Sequence, residues 1–535
     1  GARAPPHPPP EPPRARLKAL EAERLGPARA WLAEGRLAAL EAPAYFEAQW
    51  ALYQGRLDEA LARAREAVAQ VPWLFEARLL EGEARLRQAE EAPTPEAGAR
   101  LAGEALEVCR RAAAQAPSAP AARVLLARAS AQLSRCAASL EAREAATARG
   151  LAACREGLAL DPGHRELRRL EAERLVDTGA LEARRGRDPE PCLAAAQASL
   201  ERLQEEAPGD GAVLESLAGL WNQRAINGGQ EASRYLGATE QALRWLALAL
   251  AQEPTAVELH QAVAQAHVRR MARRTRLGQT PWEDFEASLG ALRRALALQP
   301  GSPTLANAAA MLWVERAEYE RTHGLDPGPS LAWIRRLAHL EGSRSERLQG
   351  VAALAYGALI QVQDAAARGQ ATLGALAACR RAVGDWEALD PGRDTPPLTM
   401  AEALLAVAQE ALEAGGDPVE LLREAQGLLA RGRARGRSNL TLDALEIRVA
   451  LLEGRRGVPG ALEAARRKAA ALARREPGEA EGHQLLAEAL LWQGDVARGL
   501  AASGRALALH PGWPEGLLVR GLLLGKAGRP RESRA

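Results

Sequence analysis

A proline recurs about every 45 residues along much of this chain. The regularly spaced prolines are Pro72, Pro117, Pro162, Pro208, Pro254 and Pro300. Three later prolines in similar sequence surroundings are Pro391, Pro477 and Pro511. The residues before them are also similar, as in Leu158-Ala-Leu-Asp-Pro162 and Leu296-Ala-Leu-Gln-Pro300. A fixed period in this range indicates stacked supersecondary units and not one globular core. We therefore expect function on an extended surface that binds something.

Small residues occupy two fixed positions of each unit. Eight positions into the units stand Ala48, Gly82, Ala127, Ala172, Ala218, Ala264, Ala310, Ala401, Ala487 and Gly521. Twelve residues before the prolines stand Ala60, Ala105, Gly150, Ala196, Ala242, Ser288, Cys379, Ala465 and Gly499. Two antiparallel helices pack closely where the side chains at their crossing are short. The pattern predicts one helical hairpin per unit, with these residues buried.

These positions resemble the tetratricopeptide repeat (TPR), which has a small residue in each helix and a closing proline. The interval from Pro477 to Pro511 is 34 residues, the standard length of that family, with Gly494-Asp495 at the turn. The resemblance covers about residues 41–535 and implies an all-α, right-handed α-solenoid of about eleven hairpins. Since Ala535 stands where a second helix would begin, we expect helix 513–527 to be a cap or the array to be cut there.

Many units are longer than 34 residues, and the extra residues lie between the two small positions. We expect a first helix that is a turn or two longer and a wider connection. The segment Thr280-Pro281-Trp282-Glu283 has the sequence of a capping box, with a hydroxyl residue followed three positions later by glutamate. It predicts the start of a second helix.

Two of these connections carry a second resemblance. Arg185-Gly-Arg-Asp-Pro-Glu-Pro191 and His323-Gly-Leu-Asp-Pro-Gly-Pro329 are similar to the long repeats that follow the catalytic domain in large serine/threonine protein kinases of myxobacteria. The resemblance implies a sensory or docking arm of a bacterial kinase. The chain itself lacks the glycine-rich loop, the His-Arg-Asp loop and the Asp-Phe-Gly motif of a kinase. An alternative is the regulatory TPR array of a bacterial transcription regulator or signalling ATPase.

The organisation along the chain is simple. Residues 1–14 contain seven prolines, so residues 1–16 are predicted to be a disordered, extended linker. Residues 17–535 follow the helical period and are predicted to form the TPR-like array.

Composition and charge exclude several classes of function. A net charge of +2 gives no overall field for nucleic acid. Five cysteines without CxxC spacing predict a reducing, cytoplasmic location. No apolar run reaches the length of a transmembrane helix. We expect no catalytic residues, no cofactor and no metal site, because no convergent set of histidine, cysteine and carboxylates stands out. An enzyme built on an α/α-solenoid remains a third hypothesis.

Two groups of residues are candidates for binding a protein or peptide partner. The first helices of such repeats line the inner face, where amide side chains can bind an extended peptide backbone. The residues predicted there are Asn222, Gln261, Gln265, Asn307 and Met311. A basic patch comprises Arg269, Arg270, Arg273, Arg274 and Arg276. It indicates either a solvated helix end, where the dipole favours cations, or a site for an acidic or phosphorylated partner.

Overall fold

The computed structural model describes residues 43–529 except 93, 138, 186, 228–231, 278 and 436–439. Its regular structure, over these residues, is twenty-three α-helices without a strand. The linker predicted at residues 1–16 and the start of the array at 17–42 lie outside the described residues. The chain forms two compact units, residues 1–170 and residues 171–535.

The first unit contains three helical hairpins. Its helices are α1 (Pro43–Tyr53), α2 (Leu57–Gln70), α3 (Phe75–Glu90), α4 (Pro95–Gln115), α5 (Pro120–Cys136) and α6 (Leu140–Leu160). Helix α7 (Arg165–Arg184) begins in this unit and ends in the second one. The first helices α3 and α5 each pack against the second helix of their own hairpin and of the preceding one.

The second unit continues the same alternation of first and second helices. Its helices after α7 are α8 (Glu190–Glu206), α9 (Gly211–Asn227), α10 (Ala232–Gln252), α11 (Val257–Arg276), α12 (Trp282–Leu298), α13 (Pro303–Thr322), α14 (Gly328–Leu337), α15 (Arg344–Ala367), α16 (Leu373–Leu389), α17 (Thr395–Glu413), α18 (Val419–Arg435), α19 (Leu440–Arg455), α20 (Ala461–Arg475), α21 (Ala480–Gln493), α22 (Val496–Leu509) and α23 (Pro514–Lys526). In the described part of the chain, eleven hairpins are thus followed by the single helix α23.

All the predicted small positions except Gly521 are buried, whereas Gly521 in α23 is partly exposed. Ala218, Ala264 and Ala310 are 1%, 2% and 0% exposed. A side chain on Gly82 would come within 2.6 Å of the Cys109 sulfur in the second helix of the same hairpin. These burials confirm the all-α array of hairpins, because the short side chains let the paired helices approach.

The longer units differ from the 34-residue unit in the predicted way. The first helix α11 has 20 residues, against 14 in α21 of the standard-length unit. The connection after α11 also spans five residues, 277–281, whereas Gly494 and Asp495 alone separate α21 from α22. The predicted capping box at Thr280 is wrong, because α12 begins after Pro281 and has no side-chain cap. A capping box is found instead at Ser343 and Glu346, where α15 begins.

Candidate partner-binding surface

The first helices of the second unit form a continuous row. Helices α11, α13, α15, α17, α19, α21 and α23 each contact the next one in this series. One face of each first helix therefore borders a common inner space. We call this row the inner wall.

The inner wall bends until its two ends meet. Arg273 in α11 forms an ion pair of 2.6 Å with Glu479, the residue before α21, although 206 residues separate them. Both side chains are largely buried, and that of Arg273 is only 4% exposed. At the end of the eleventh hairpin, burial and, to a smaller extent, the proximity of His323 at the end of α13 lower the pKa of His510 to about 4. The sixth and seventh hairpins thus lie beside the eleventh hairpin and α23.

Charged side chains from separate first helices converge on this inner space. Glu318 and Arg321 of α13 form an ion pair of 2.7 Å, and Arg448 of α19 pairs with Glu481 of α21 at 3.1 Å. Burial alone would lower the pKa of Arg321, but Glu318 and the more distant Glu515 and Glu402 hold it above its usual range. The inner wall is therefore polar, and its charges interact across several hairpins.

Two carboxylates of the inner wall are not fully balanced by cations. Burial raises the pKa of Glu402 in α17, although Arg448 opposes this change and Gln363 donates a 2.9 Å hydrogen bond to the carboxylate. Burial likewise raises the pKa of Glu488 in α21, against the attraction of Arg448 and Arg455. The ionised forms of both groups cost free energy in the folded protein. Such groups favour a partner that brings a hydrogen-bond donor or a positive charge.

Replacement of Glu402 or Glu488 by glutamine is expected to stabilise the folded protein at neutral pH. A carboxyl with a raised folded pKa binds more protons in the folded state, so stability falls as pH rises above the ordinary value of 4.5. Glutamine carries no charge and so removes this cost. We expect the free energy of unfolding to increase by more than about 0.5 kcal/mol, the size typical of surface substitutions. Urea unfolding at several pH values measures it.

The control for this prediction is Glu420→Gln, on the outer helix α18, where the carboxylate is exposed and pairs with Arg423. We expect no gain for the control at any pH, and the gain of Glu402→Gln should vanish at acidic pH where Glu402 is protonated in both states. A Glu402→Gln variant that is less stable than the wild type at pH 7 would contradict the assignment.

The residues predicted to bind a peptide on the inner face lie in different environments. Gln265 is exposed, whereas Asn222, Gln261 and Met311 are partly buried. The Oδ1 atom of Asn222 is buried and accepts no hydrogen bond from the described residues. Met311 packs beside a core cluster that joins α13, α14 and α15. Binding of a partner by these four residues stays a prediction.

Asn307 requires a correction. Its side chain is 0% exposed, donates to the carbonyl oxygens of Glu346 (2.8 Å) and His339 (3.4 Å), and accepts from the His339 N–H at 2.7 Å. It therefore fixes the segment between α14 and α15 and presents no group to a partner. From the sequence, an asparagine on a first helix could not be distinguished from one that caps a neighbouring backbone.

The predicted basic patch is engaged within the protein. Arg270 and Arg274 contact the fully buried carboxylate of Asp284 at 2.6 and 3.1 Å, and His267 contacts it at 2.9 Å. Burial would raise the pKa of Asp284, but the hydrogen bonds from His267 and Arg270 outweigh it and lower the pKa. With Arg273 bound to Glu479, three of the five arginines have carboxylate partners of the same chain.

The other two arginines of the patch are described less fully. Arg269 is partly buried in α11, and the side chain of Arg276 lies outside the described residues. Binding of an acidic or phosphorylated partner by this patch stays a prediction.

The first unit has a similar polar face on its first helices. Arg128 of α5 pairs with Glu83 of α3 at 3.0 Å, and Glu81 and Arg85 of α3 pair with each other at 3.3 Å. Arg85 also pairs with Glu104 of α4. Ion pairs between successive first helices are thus a feature of each unit.

Comparison with known proteins gives a structural likeness alone. No protein-family model and no curated protein matches this chain. Solved TPR proteins are similar to it. TTC0263, a TPR protein of Thermus thermophilus, is 21% identical with a TM-score of 0.33, over 42% of this chain and 98% of its own.

Two larger solved structures cover more of the chain. Yeast Tom70 is 11% identical with a TM-score of 0.36, over 93% of this chain and 97% of its own. Human IFIT1, solved as a dimer with m7Gppp-AAAA, is 14% identical with a TM-score of 0.41, over 92% of this chain and 87% of its own. At these values the likeness carries no conclusion about function.

None of the helices in the described residues is long and apolar enough to cross a membrane. The described residues also contain no group of three or more histidine, cysteine and carboxylate side chains placed to hold a metal ion.

Proposed function

We propose that this chain is a non-catalytic scaffold that binds a protein or peptide on the inner wall of its second unit. The observation that carries this proposal is the convergence of charged side chains from α13, α17, α19 and α21 around two unbalanced carboxylates, Glu402 and Glu488. These half-buried carboxylates raise the free energy of the folded chain, and their position on a curved row of helices suits binding of a partner chain.

The finer part of the proposal is that the scaffold is the cytoplasmic sensory or docking arm of a bacterial serine/threonine protein kinase. The segments 185–191 and 323–329 support it through their resemblance to kinase-associated repeats. The described residues of these segments lead into α8 and α14. The coding sequence that precedes Gly1 tests this part: a kinase catalytic domain would support it, and another kind of domain would overturn it.

The binding proposal is tested with the full chain and an array of overlapping bacterial peptides. For peptides that bind, Arg448→Ala and Glu402→Gln are expected to change the affinity about tenfold, which corresponds to about 1.4 kcal/mol. The matched control is Arg423→Ala on α18, whose side chain is exposed on a second helix. Peptide binding that neither inner-wall variant changes would overturn the proposal.

A further inference from the structure

Successive turns of the inner wall touch each other after five hairpins. Arg273 lies in the last turn of α11, and its ion-pair partner Glu479 directly precedes α21, the first helix five hairpins later. The same offset relates α13 to α23, since the charge of Glu515 in the first turn of α23 acts on Arg321 in the last turn of α13. In both places the end of one first helix meets the start of another. We call the ion pair between Arg273 and Glu479 the clasp.

The two turns meet through polar side chains and not through packed helices. Within the described residues, no helix of the sixth or seventh hairpin packs along a helix of the eleventh hairpin. The apolar core clusters of this part of the chain likewise contain residues from one side of the contact or from the other. Helices within a hairpin bury apolar surface against each other, so the contact between turns is easier to separate than a hairpin is.

The groups at this contact are costly to bury. The guanidinium of Arg273 is 4% exposed and lies 5.8 Å from the centre of the Tyr235 ring, besides its ion pair with Glu479. Burial removes water from both charges of such a pair, so the pair as a whole stabilises the closed state little, although loss of one partner is costly. His510 is also buried there, and its Nε2 atom has no hydrogen-bond partner among the described residues. Separation of the turns returns these groups to water.

The closed turn leaves little room for a partner chain. Glu402 of α17 is close enough to Glu318 and Arg321 of α13, two hairpins away, for their charges to change its pKa. Glu481 of α21, two hairpins in the other direction, also changes it. Because charges act on each other only over short distances in salt solution, the space between these helices is narrow. A chain that is to lie along the inner wall therefore needs the turns to separate first.

We infer that the ion pair between Arg273 and Glu479 is a clasp that keeps the inner wall closed, and that it opens with the hairpins intact to admit the partner chain. The inference rests on the proposed function, because it concerns access to the same wall. It adds regulation to that function. A clasp that is closed most of the time lowers the apparent affinity for the partner by the fraction of open molecules.

Thiol labelling of the full chain measures the opening without any partner. Ala406 is partly exposed on α17, one turn from Glu402 on the same face, so Ala406→Cys places a thiol on the inner wall. The partly exposed Cys136 and Cys192 are replaced by serine in every variant. N-ethylmaleimide reports access of a small molecule, and a maleimide with a long polyethylene glycol chain reports access of a polymer. With the clasp unchanged, we expect the polymer reagent to react much more slowly than the small one.

Glu479→Lys places two cations together at the clasp. It is expected to increase the rate of the polymer reagent at the introduced thiol at least about tenfold, because the closed state then buries like charges. Glu420→Lys, on the exposed surface of α18, is the matched charge control and should leave this rate unchanged. A thiol introduced instead by Ala430→Cys, at an exposed position of α18, should react at the same rate with and without Glu479→Lys.

The native Cys379 distinguishes opening from unfolding, because its side chain in α16 is 0% exposed. It should stay unreactive towards N-ethylmaleimide in the Glu479→Lys variant. Equal rates of the polymer reagent with and without Glu479→Lys would overturn the inference. Reaction of Cys379 in step with the introduced thiol would overturn it as well, since the turns would then separate only by unfolding. Because labelling needs no peptide, failure of the clasp and failure of the proposed peptide binding are observed separately.

Discussion

The replacement of Arg273 by methionine is expected to destabilise the second unit by about 3–5 kcal/mol, since it leaves the Glu479 carboxylate without its cation in a buried place. The ion pair measures 2.6 Å, and its two side chains are 4% and 13% exposed. It joins the sixth hairpin to the start of the eleventh. The loss should therefore affect the contact between distant hairpins more than the hairpins themselves.

Urea unfolding gives the total loss, and hydrogen exchange locates it. We expect faster exchange in α21 and in the end of α11, with little change in α17. The double variant Arg273→Met/Glu479→Met removes both charges, so it should be much less destabilised than the sum of the single variants. Arg475→Met is the control, because that arginine is half-exposed and its partner Asp443 keeps Arg433 as a second cation at 3.7 Å. Additive effects of the two single substitutions would contradict a coupled ion pair.

The repeat architecture could be predicted from the sequence because it depends on local spacing. Ala218, Ala264 and Ala310 recur at one position, and the physical need for short side chains at a helix crossing does not depend on distant residues. Helix α23, at Pro514–Lys526, also falls within the predicted segment 513–527. The repeat period, the number of hairpins and the helical secondary structure all follow from contacts within a repeat or between adjacent repeats.

The inner wall could not be predicted in the same way. The pairing of Arg273 with Glu479 depends on how far the row of helices bends over 206 residues, which is a sum of small rotations at many interfaces. The sequence therefore placed Arg273 in a basic patch and gave no sign of its partner. Glu402 and Glu488 could not be singled out for the same reason, since their raised pKa depends on burial in the folded array and on charges of other hairpins such as Arg448.

The second large effect on stability is expected at the irregular junction between the seventh and eighth hairpins. Helix α14 has ten residues, and the segment after it is held by Asn307 before α15 begins. Gly350 in α15 lies directly against this segment. A Cβ atom at Gly350 would overlap the His339 carbonyl oxygen and lie 3.0 Å from its carbonyl carbon and 3.1 Å from Oδ1 of Asn307. Because the overlap is with backbone, it cannot be relieved by a side-chain rotation.

Gly350→Ala is thus expected to destabilise the protein by about 3 kcal/mol, although alanine is the better helix former. Gly384→Ala in α16 is the matched control, because an added Cβ there meets no atom within 4 Å. That substitution should stabilise the protein by about 0.5–1 kcal/mol. Thermal unfolding of the two variants should therefore move in opposite directions. Stabilisation of the protein by both substitutions would show that the segment after α14 is not packed on α15 as the hydrogen bonds of Asn307 indicate. The assignment of a structural role to Asn307, in place of a binding role, would then be wrong as well.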